Sequence, residues 1–233
     1  MLERAHEILY LVAEPVAAAW IESVNPRSRS LAAFYEPGRD RRDTYAAIVE
    51  EVLARLREGG DVCFALYGHP GVFAASSHEA VRRASEEGFA ARMLPAVSAE
   101  DCLFADLGID PGTAGCQSYD STELVRHGHR IDPTAALILW QPAVFGSAAY
   151  TPGGDFSRLP ALVEYLERYY LPQHELVCYA ASPYPVAKPM VERVQLSKLA
   201  GAAIPRLALL YVPPTTAELS SNRAAAAMFP FAR

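Results

Sequence analysis

The stretch Val62-Cys63-Phe64-Ala65-Leu66-Tyr67-Gly68-His69-Pro70-Gly71 joins an apolar run to a cluster of chain breakers. Five consecutive apolar residues are typical of a buried strand in a parallel sheet. The glycines and proline that follow predict a sharp turn. Because parallel sheets bind ligands at the loops after the carboxyl ends of their strands, we expect residues 67–71 to form a ligand loop of an α/β fold.

Apolar runs and helical patterns alternate along the rest of the chain. Strands are predicted over residues 8–12, 62–66, 90–94, 135–141, 175–181 and 207–212, with a further candidate over 30–35. Helices are predicted over residues 15–24, 43–58, 77–87, 99–107 and 159–170. This alternation predicts an α/β fold with a mainly parallel sheet. Turn formers at 110–115 separate an N-terminal domain (1–112) from a C-terminal domain (113–216) and a tail (217–233).

Composition excludes several classes of protein. The chain has 233 residues, of which 51% are hydrophobic and 21% charged, as in a soluble globular protein. A net charge of -6 argues against a broad nucleic-acid-binding face, and no apolar run is long enough to cross a membrane. Cys63, Cys102, Cys116 and Cys178 lack zinc or disulfide spacing, and no secretory signal is present. We therefore expect free thiols, no metal and a cytoplasmic location.

A group of tyrosines surrounds the charged loop of residues 36–43. Tyr35, Arg41 and Tyr45 flank or lie in this loop, and Tyr67 follows the predicted strand. The loop is either a solvated charge run beside tyrosines at the core edge, or a reactive cluster. In the second case an arginine near a phenol lowers its pKa, which helps to remove a proton from a weak acid and to hold an oxyanion.

Two longer motifs connect the chain to a known family. Tyr67-Gly68-His69-Pro70-Gly71-Val72-Phe73 and Met93-Leu94-Pro95-Ala96-Val97-Ser98-Ala99-Glu100-Asp101-Cys102-Leu103-Phe104-Ala105-Asp106-Leu107 resemble the tetrapyrrole methylase superfamily, most closely the borosin peptide-backbone α-N-methyltransferases. The resemblance runs from about residue 8 to residue 214. It implies a two-domain α/β fold that binds S-adenosylmethionine in the cleft between the domains, and a homodimer.

The resemblance also implies a set of site residues. The cofactor would contact Pro70, Gly71, Val72, Phe73, Ser98, Ala99, Gln141, Tyr179, Ala180, Ala181, Leu207 and Ala208. The catalytic residues would be Tyr35, Arg41, Tyr45 and Tyr67. In this scheme Tyr45 acts as the base and Arg41 stabilises the developing oxyanion. Read without the family, Ser98 is a helix cap.

The chain departs from the family pattern at both ends. The family begins with a strand, a glycine-containing cofactor loop and a helix, whereas residues 8–14 resemble its second strand. The resemblance thus implies that about 25 residues are absent, either because the start is assigned too late or because this is a shortened member. Loss of a central strand predicts an exposed sheet edge. Fungal borosins carry their own substrate at the C-terminus, but residues 224–233 have no Val/Ile/Gly-rich core peptide. The expected substrate is therefore a separate precursor peptide, methylated in trans.

Two alternatives stay open on the sequence. Instead of a peptide methyltransferase, the chain could be a tetrapyrrole or corrinoid methylase. It could also be a shortened, non-catalytic partner that binds a peptide or completes a heterodimer. The tyrosine–arginine set argues against both, and affinity for S-adenosylmethionine separates the second from an enzyme.

Overall fold

The fold consists of two helix-covered sheets, seen in a computed structural model that describes residues 2–184 and 186–215. The predicted tail over 217–233 lies outside the described residues. Within those residues, no helix combines the length and the apolar character that a membrane span needs.

The first sheet has three parallel strands in the order β2-β1-β3. They are β1 (Glu7–Leu11), β2 (Ser28–Ser30) and β3 (Val62–Leu66), with helices α1 (Pro15–Val24), α2 (Arg41–Arg57) and α3 (Ala75–Glu86). Side chains alternate across a strand, so Ile8 and Tyr10 pack with Ile21 of α1 on one face. Leu9 and Leu11 pack with α2 and α3 on the other. This alternation explains why all of β1 beyond Glu7 is buried.

Strand β3 forms an open edge of this sheet. It pairs with β1 on one side, and no strand of the described part of the chain pairs with the other. Each of its five residues is only half-buried, which agrees with the expected exposed edge. The strand predicted over 90–94 is wrong. A strand needs a hydrogen-bonding neighbour, and this segment pairs with no strand of the described part of the chain. The candidate strand over 30–35 is also wrong, since β2 ends at Ser30 and a 3₁₀ turn (Ala32–Phe34) follows.

The second sheet is mixed, with the order β4-β5-β8-β6-β7. Its elements are α4 (Ala99–Leu107), α5 (Pro111–Ala114), β4 (Cys116–Asp120), α6 (Ser121–Arg126), β5 (Ala136–Trp140), α7 (Leu159–Leu166), β6 (Glu175–Ala180), β7 (Met190–Gln195) and β8 (Leu209–Val212). Only β4 and β5 are parallel, while the other three pairings are antiparallel. The expectation of a mainly parallel sheet therefore holds for the first sheet alone. The division into domains at residue 112 stays a prediction.

The loop that precedes α2 connects the two halves of the molecule. Asp40 forms an antiparallel bridge with Ala149. Gly38 N–H donates to the Tyr150 carbonyl (2.9 Å), and Tyr150 N–H donates to the Arg39 carbonyl (2.8 Å). Asp40 also caps α2 by accepting from the Arg42 amide, so the helix begins at residue 41 and not at 43. The charged loop is therefore an ordered junction and not a free solvated run.

Candidate active site

Three of the predicted tyrosines lie in one cluster. Tyr35 follows the 3₁₀ turn, Tyr45 lies in the second turn of α2, and Tyr67 follows β3. The rings of Tyr35 and Tyr45 are edge-to-face, with centroids 6.4 Å apart. Tyr67 lies close enough for its charge to affect Tyr35, and Tyr45 affects Tyr67 in the same way. The structure thus brings together phenols from three separate elements of the first half of the chain.

The pKa of two of these phenols moves in the direction opposite to the one expected. Burial raises the pKa of Tyr35, and the neighbouring phenols Tyr45, Tyr67 and Tyr150 raise it further. Desolvation inside the cluster raises the pKa of Tyr67 as well, although 56% of this residue's surface is accessible. A nearby arginine lowers both pKa values, as expected, but desolvation outweighs its positive charge, so that the net pKa of each phenol is raised. The opposing charge belongs to Arg206.

Arg41 points its guanidinium at the second half of the molecule. Nη1 donates to Oε1 of Gln141 (2.7 Å), and Nη2 donates to the Ser147 carbonyl (2.6 Å). Its charge also opposes the burial-induced rise in the pKa of Asp120. Arg41 is one helical turn from Tyr45 and shares its face of α2. It therefore lies one turn from Tyr45 while its donors hold two groups of the C-terminal half; its catalytic role stays a prediction.

The predicted cofactor loop is fixed by its own neighbours. His69 Nδ1 accepts from the Gly71 amide (2.9 Å), and His78 Nε2 contacts the Gly71 carbonyl at 2.9 Å. Ser77 Oγ donates to the Pro70 carbonyl, and Val72 N–H donates to the His69 carbonyl. A Cβ at Gly71 would lie 2.8 Å from the Met93 sulfur, so a side chain there would displace Met93. The loop is consequently held by four hydrogen bonds, and its Gly71 packs closely against Met93.

Two strained residues mark the point where this loop meets the second sheet. Phe73 (φ 51°) and Gln141 (φ 58°) are the two non-glycine residues with positive φ within residues 2–184 and 186–215. Phe73 stacks on Trp140, the residue before Gln141, with centroids 4.3 Å apart and planes 21° apart. Such strain concentrates at functional sites, and both residues belong to the predicted cofactor set. Arg41 reaches the same place through Gln141.

Ser98 and Ala99 lie at the start of α4. Ser98 caps the helix: its Oγ accepts from the Asp101 amide, and the Asp101 carboxylate accepts from the Ser98 amide. The helix-cap interpretation is therefore confirmed, and Ser98 is buried. A Cβ on Gly68 would lie 3.8 Å from the Val97 carbonyl, so the segment before α4 adjoins the cofactor loop.

The remaining predicted contacts belong to the second sheet. Tyr179 is fully buried between the strands and α4, and its hydroxyl donates to Asp106 Oδ2 (2.5 Å). Ala208 is buried as well, whereas Leu207 is 47% exposed. Ala180 and Ala181 are partly buried at the end of β6. The side chains of Tyr179 and Ala208 thus serve the core, and their contact with a cofactor stays a prediction.

Three aromatic or basic residues at the candidate site were not predicted from the sequence. Tyr150 packs against Tyr35 with centroids 5.1 Å apart, and the Arg206 guanidinium lies 5.4 Å from the Tyr150 ring centroid. Trp140 stacks on Phe73. Their partners lie far away along the chain, and the only sequence signal is the position of Trp140 at the end of a predicted strand.

The two helix-covered sheets and the loop after β3 define a methylase fold. The model of the family described as Tetrapyrrole (Corrin/Porphyrin) Methylases matches residues 1–185, and the chain belongs to this family.

Several curated relatives have names that are more specific than the family description. The chain is 37% identical over 218 residues to the methyltransferase/ribosomally synthesized type III borosin cyclic peptide precursor of Anomoporia bombycina, covering 91% of this chain and 25% of that protein. It is 38% identical to the dendrothelin A precursor protein of Dendrothele bispora (91% and 52%) and 35% identical to the omphalotin A precursor protein of Omphalotus olearius (94% and 54%). The chain therefore spans between a quarter and about half of these relatives' lengths.

Solved structures share the fold. Uroporphyrin-III-C-methyltransferase from Thermus thermophilus superposes with a TM-score of 0.59 at 22% identity, covering 91% of this chain and 84% of that one. The cobalt precorrin-4 methyltransferase gives a TM-score of 0.59 at 15% identity, with coverages of 91% and 85%.

Proposed function

We propose that the chain is an S-adenosylmethionine-dependent methyltransferase that N-methylates backbone amides of a separate ribosomal precursor peptide. The observation that carries the proposal is the cluster of Tyr35, Tyr45 and Tyr67 beside the loop that follows β3. Curated relatives at 35–38% identity are named methyltransferases and cyclic peptide precursors, which supports a peptide as the substrate.

The residues around the loop fit the chemistry of the cofactor. A sulfonium cation is attracted to aromatic faces, and the side chains of Tyr67 and Phe73 are 56% and 41% exposed. The backbone N–H groups of Gly68 and His69 have no hydrogen-bond partner in the described ranges, so they are available to a polar ligand. S-adenosylmethionine supplies a methyl group on its sulfonium when bound. Pro70, Gly71, Val72 and Phe73 would hold it, with Gln141 at the adjoining strand end.

The phenols provide the proton acceptor that the reaction needs. A backbone amide nitrogen is a poor nucleophile, and it becomes reactive when it loses its proton and charge builds on the carbonyl oxygen. A phenolate of the cluster accepts the amide proton, directly or through one water. The Arg41 guanidinium donates to the developing oxyanion. The clustered rings hold the amide in a fixed orientation, which lowers the entropic cost of reaching the transition state.

Three finer features belong to the same proposal. Methylation of a separate precursor peptide, in trans, is the first of them. A homodimer and a cytoplasmic location follow from the family resemblance and from the cysteine pattern, respectively. Each stays a prediction.

Calorimetry and mass spectrometry test the proposal in two stages. Titration of the chain with S-adenosylmethionine should give a saturable heat of binding, and absence of binding overturns the proposal. The chain is then incubated with S-adenosylmethionine and a pooled library of Val-, Ile- and Gly-rich peptides. We expect peptides that carry one or more added methyl groups. Binding without methylation of any peptide would favour the non-catalytic partner.

A further inference from the structure

The phenol cluster contains a basic residue and a tyrosine from the second half of the chain that the family motifs do not include. Tyr150 contacts the Tyr35 ring edge-to-face, and the Arg206 guanidinium lies over Tyr150. Three phenols thus come from the first half of the chain, while a fourth phenol and a guanidinium come from the second.

The position of Tyr150 is fixed by backbone contacts. Its N–H donates to the Arg39 carbonyl, and its carbonyl accepts from Gly38 N–H. The bridge between Asp40 and Ala149 continues this pairing. The backbone of Tyr150 is therefore paired with the loop that carries Tyr35 and Arg41, and the arginine over its ring is placed next to that loop.

Arg206 differs from Arg41 in what its guanidinium contacts. Arg41 directs two donors to Gln141 and the Ser147 carbonyl. Arg206 has neither a carboxylate within ion-pair distance nor a hydrogen-bond acceptor among residues 2–184 and 186–215. Its position is exposed, in a turn that the Ala208 amide closes by donating to the Pro205 carbonyl. Because a guanidinium stays protonated and carries five donors, this one retains its charge and its donors for a partner in the cluster.

We propose that Arg206, stacked on Tyr150, is the positive charge that stabilises the phenolate forms of Tyr35 and Tyr67 during the proposed methylation. It acts through the phenols and is a positioning residue, whereas Arg41 holds Gln141 and the Ser147 carbonyl. The inference rests on the proposed function. A phenol of the cluster first releases its proton to solvent, and its oxygen then accepts the amide proton; Arg206 stays protonated throughout.

Within residues 2–184 and 186–215, the groups with the largest effect on the two phenols are other tyrosines and one arginine. Tyr35 faces Tyr45, Tyr67, Tyr150 and Arg206, and Tyr67 faces Tyr45 and Arg206. The neighbouring tyrosines raise the pKa of the phenol that they face and so oppose formation of its phenolate. Arg206 lowers the pKa of both phenols against the effect of burial. Removal of this one charge therefore makes both phenolates harder to form.

The pH–rate profile of methylation provides the test, with Arg206→Gln, Arg206→Lys and the control Arg193→Gln. Arg193 is an exposed residue of β7 that pairs with Glu175. We expect Arg206→Gln to methylate about tenfold more slowly near pH ~8 and to recover as the pH rises, because the phenolate then forms at higher pH. Arg206→Lys should retain most of the rate, and Arg193→Gln all of it. An unshifted profile for Arg206→Gln overturns the proposal.

A second measurement separates this inference from the proposed function. The tyrosinate absorbance of Tyr67 is isolated as the difference between the chain and its Tyr67→Phe variant, with and without Arg206→Gln. We expect the titration of Tyr67 to move to higher pH when Arg206 is replaced, whether or not any peptide is methylated. Unchanged titration overturns the role of Arg206. A shifted titration in a chain that methylates no peptide supports the electrostatic role and overturns the proposed function alone.

Discussion

Replacing Arg41 with alanine tests how the two halves of the molecule are held together. The substitution removes the hydrogen bonds to Gln141 (2.7 Å) and to the Ser147 carbonyl (2.6 Å). Hydrogen bonds to a charged group contribute about 1.5–3 kcal/mol each, and the half-exposed position favours the lower end of that range. We therefore expect a loss of about 3 kcal/mol in the free energy of unfolding. For a chain of this length, the loss corresponds to a fall of about 6–12 °C in Tm.

Thermal unfolding followed by circular dichroism measures this effect, with Arg42→Ala as the matched control. Arg42 is the next residue, its side chain is exposed, and its backbone amide keeps its bond to Asp40 in the variant. The control should lie within about 0.5 kcal/mol of the unmodified chain. Arg41→Lys keeps the charge but provides no planar fork, so it should lose about half as much as Arg41→Ala. Equal Tm values for Arg41→Ala and Arg42→Ala would refute the reasoning.

Three further predictions follow from the site. Phe73→Ala removes the stack on Trp140 and should weaken S-adenosylmethionine binding about tenfold in calorimetry, whereas unchanged affinity would place the cofactor elsewhere. Tyr179→Phe removes the hydrogen bond from the buried Tyr179 ring to the exposed Asp106 carboxylate, which regains water, and should lower the free energy of unfolding by about 1 kcal/mol; a loss of cofactor affinity at unchanged Tm would contradict this core role. Because burial raises the pKa of Tyr35 above the ordinary value of about 10, the phenol stays mostly protonated up to about pH 9 and its small phenolate fraction grows about tenfold per pH unit. A methylation rate that depends on this phenolate should rise equally steeply between about pH 7 and pH 9; a plateau within that range would exclude this phenol as the base.

Local signals in the sequence predicted much of the helical structure. Helix α1 begins at Pro15, as expected from the preference of proline for the first helical turn. Helix α4 has the predicted bounds because Ser98 and Asp101 form a capping box. These features depend on residues a few positions apart, so one sequence suffices to find them.

Elements whose stability depends on distant partners escaped prediction. Residues 90–94 are apolar enough for a strand, but no strand of the described chain pairs with them. Strand β7 was missed because it is an edge strand with charged residues such as Glu192 and Arg193, and it forms by pairing with β6. Propensity in strands is dominated by such tertiary pairing.

The candidate site shows the same division. The grouping of Tyr35, Tyr45 and Tyr67 follows from a family motif and is present in the structure. The contribution of Tyr150 and Arg206 depends on how the second half of the chain folds against the loop before α2. Spacing along the chain carries no information on that contact.

Tandem mass spectrometry of a methylated peptide tests the central claim most directly, because it locates the methyl group. The account predicts fragment ions that place the added methyl on backbone amide nitrogens, and a rate at least about a hundredfold lower when Tyr35, Tyr45 and Tyr67 are all replaced by phenylalanine. Methyl groups confined to side chains, or an undiminished rate in the triple variant with intact cofactor binding, would contradict it.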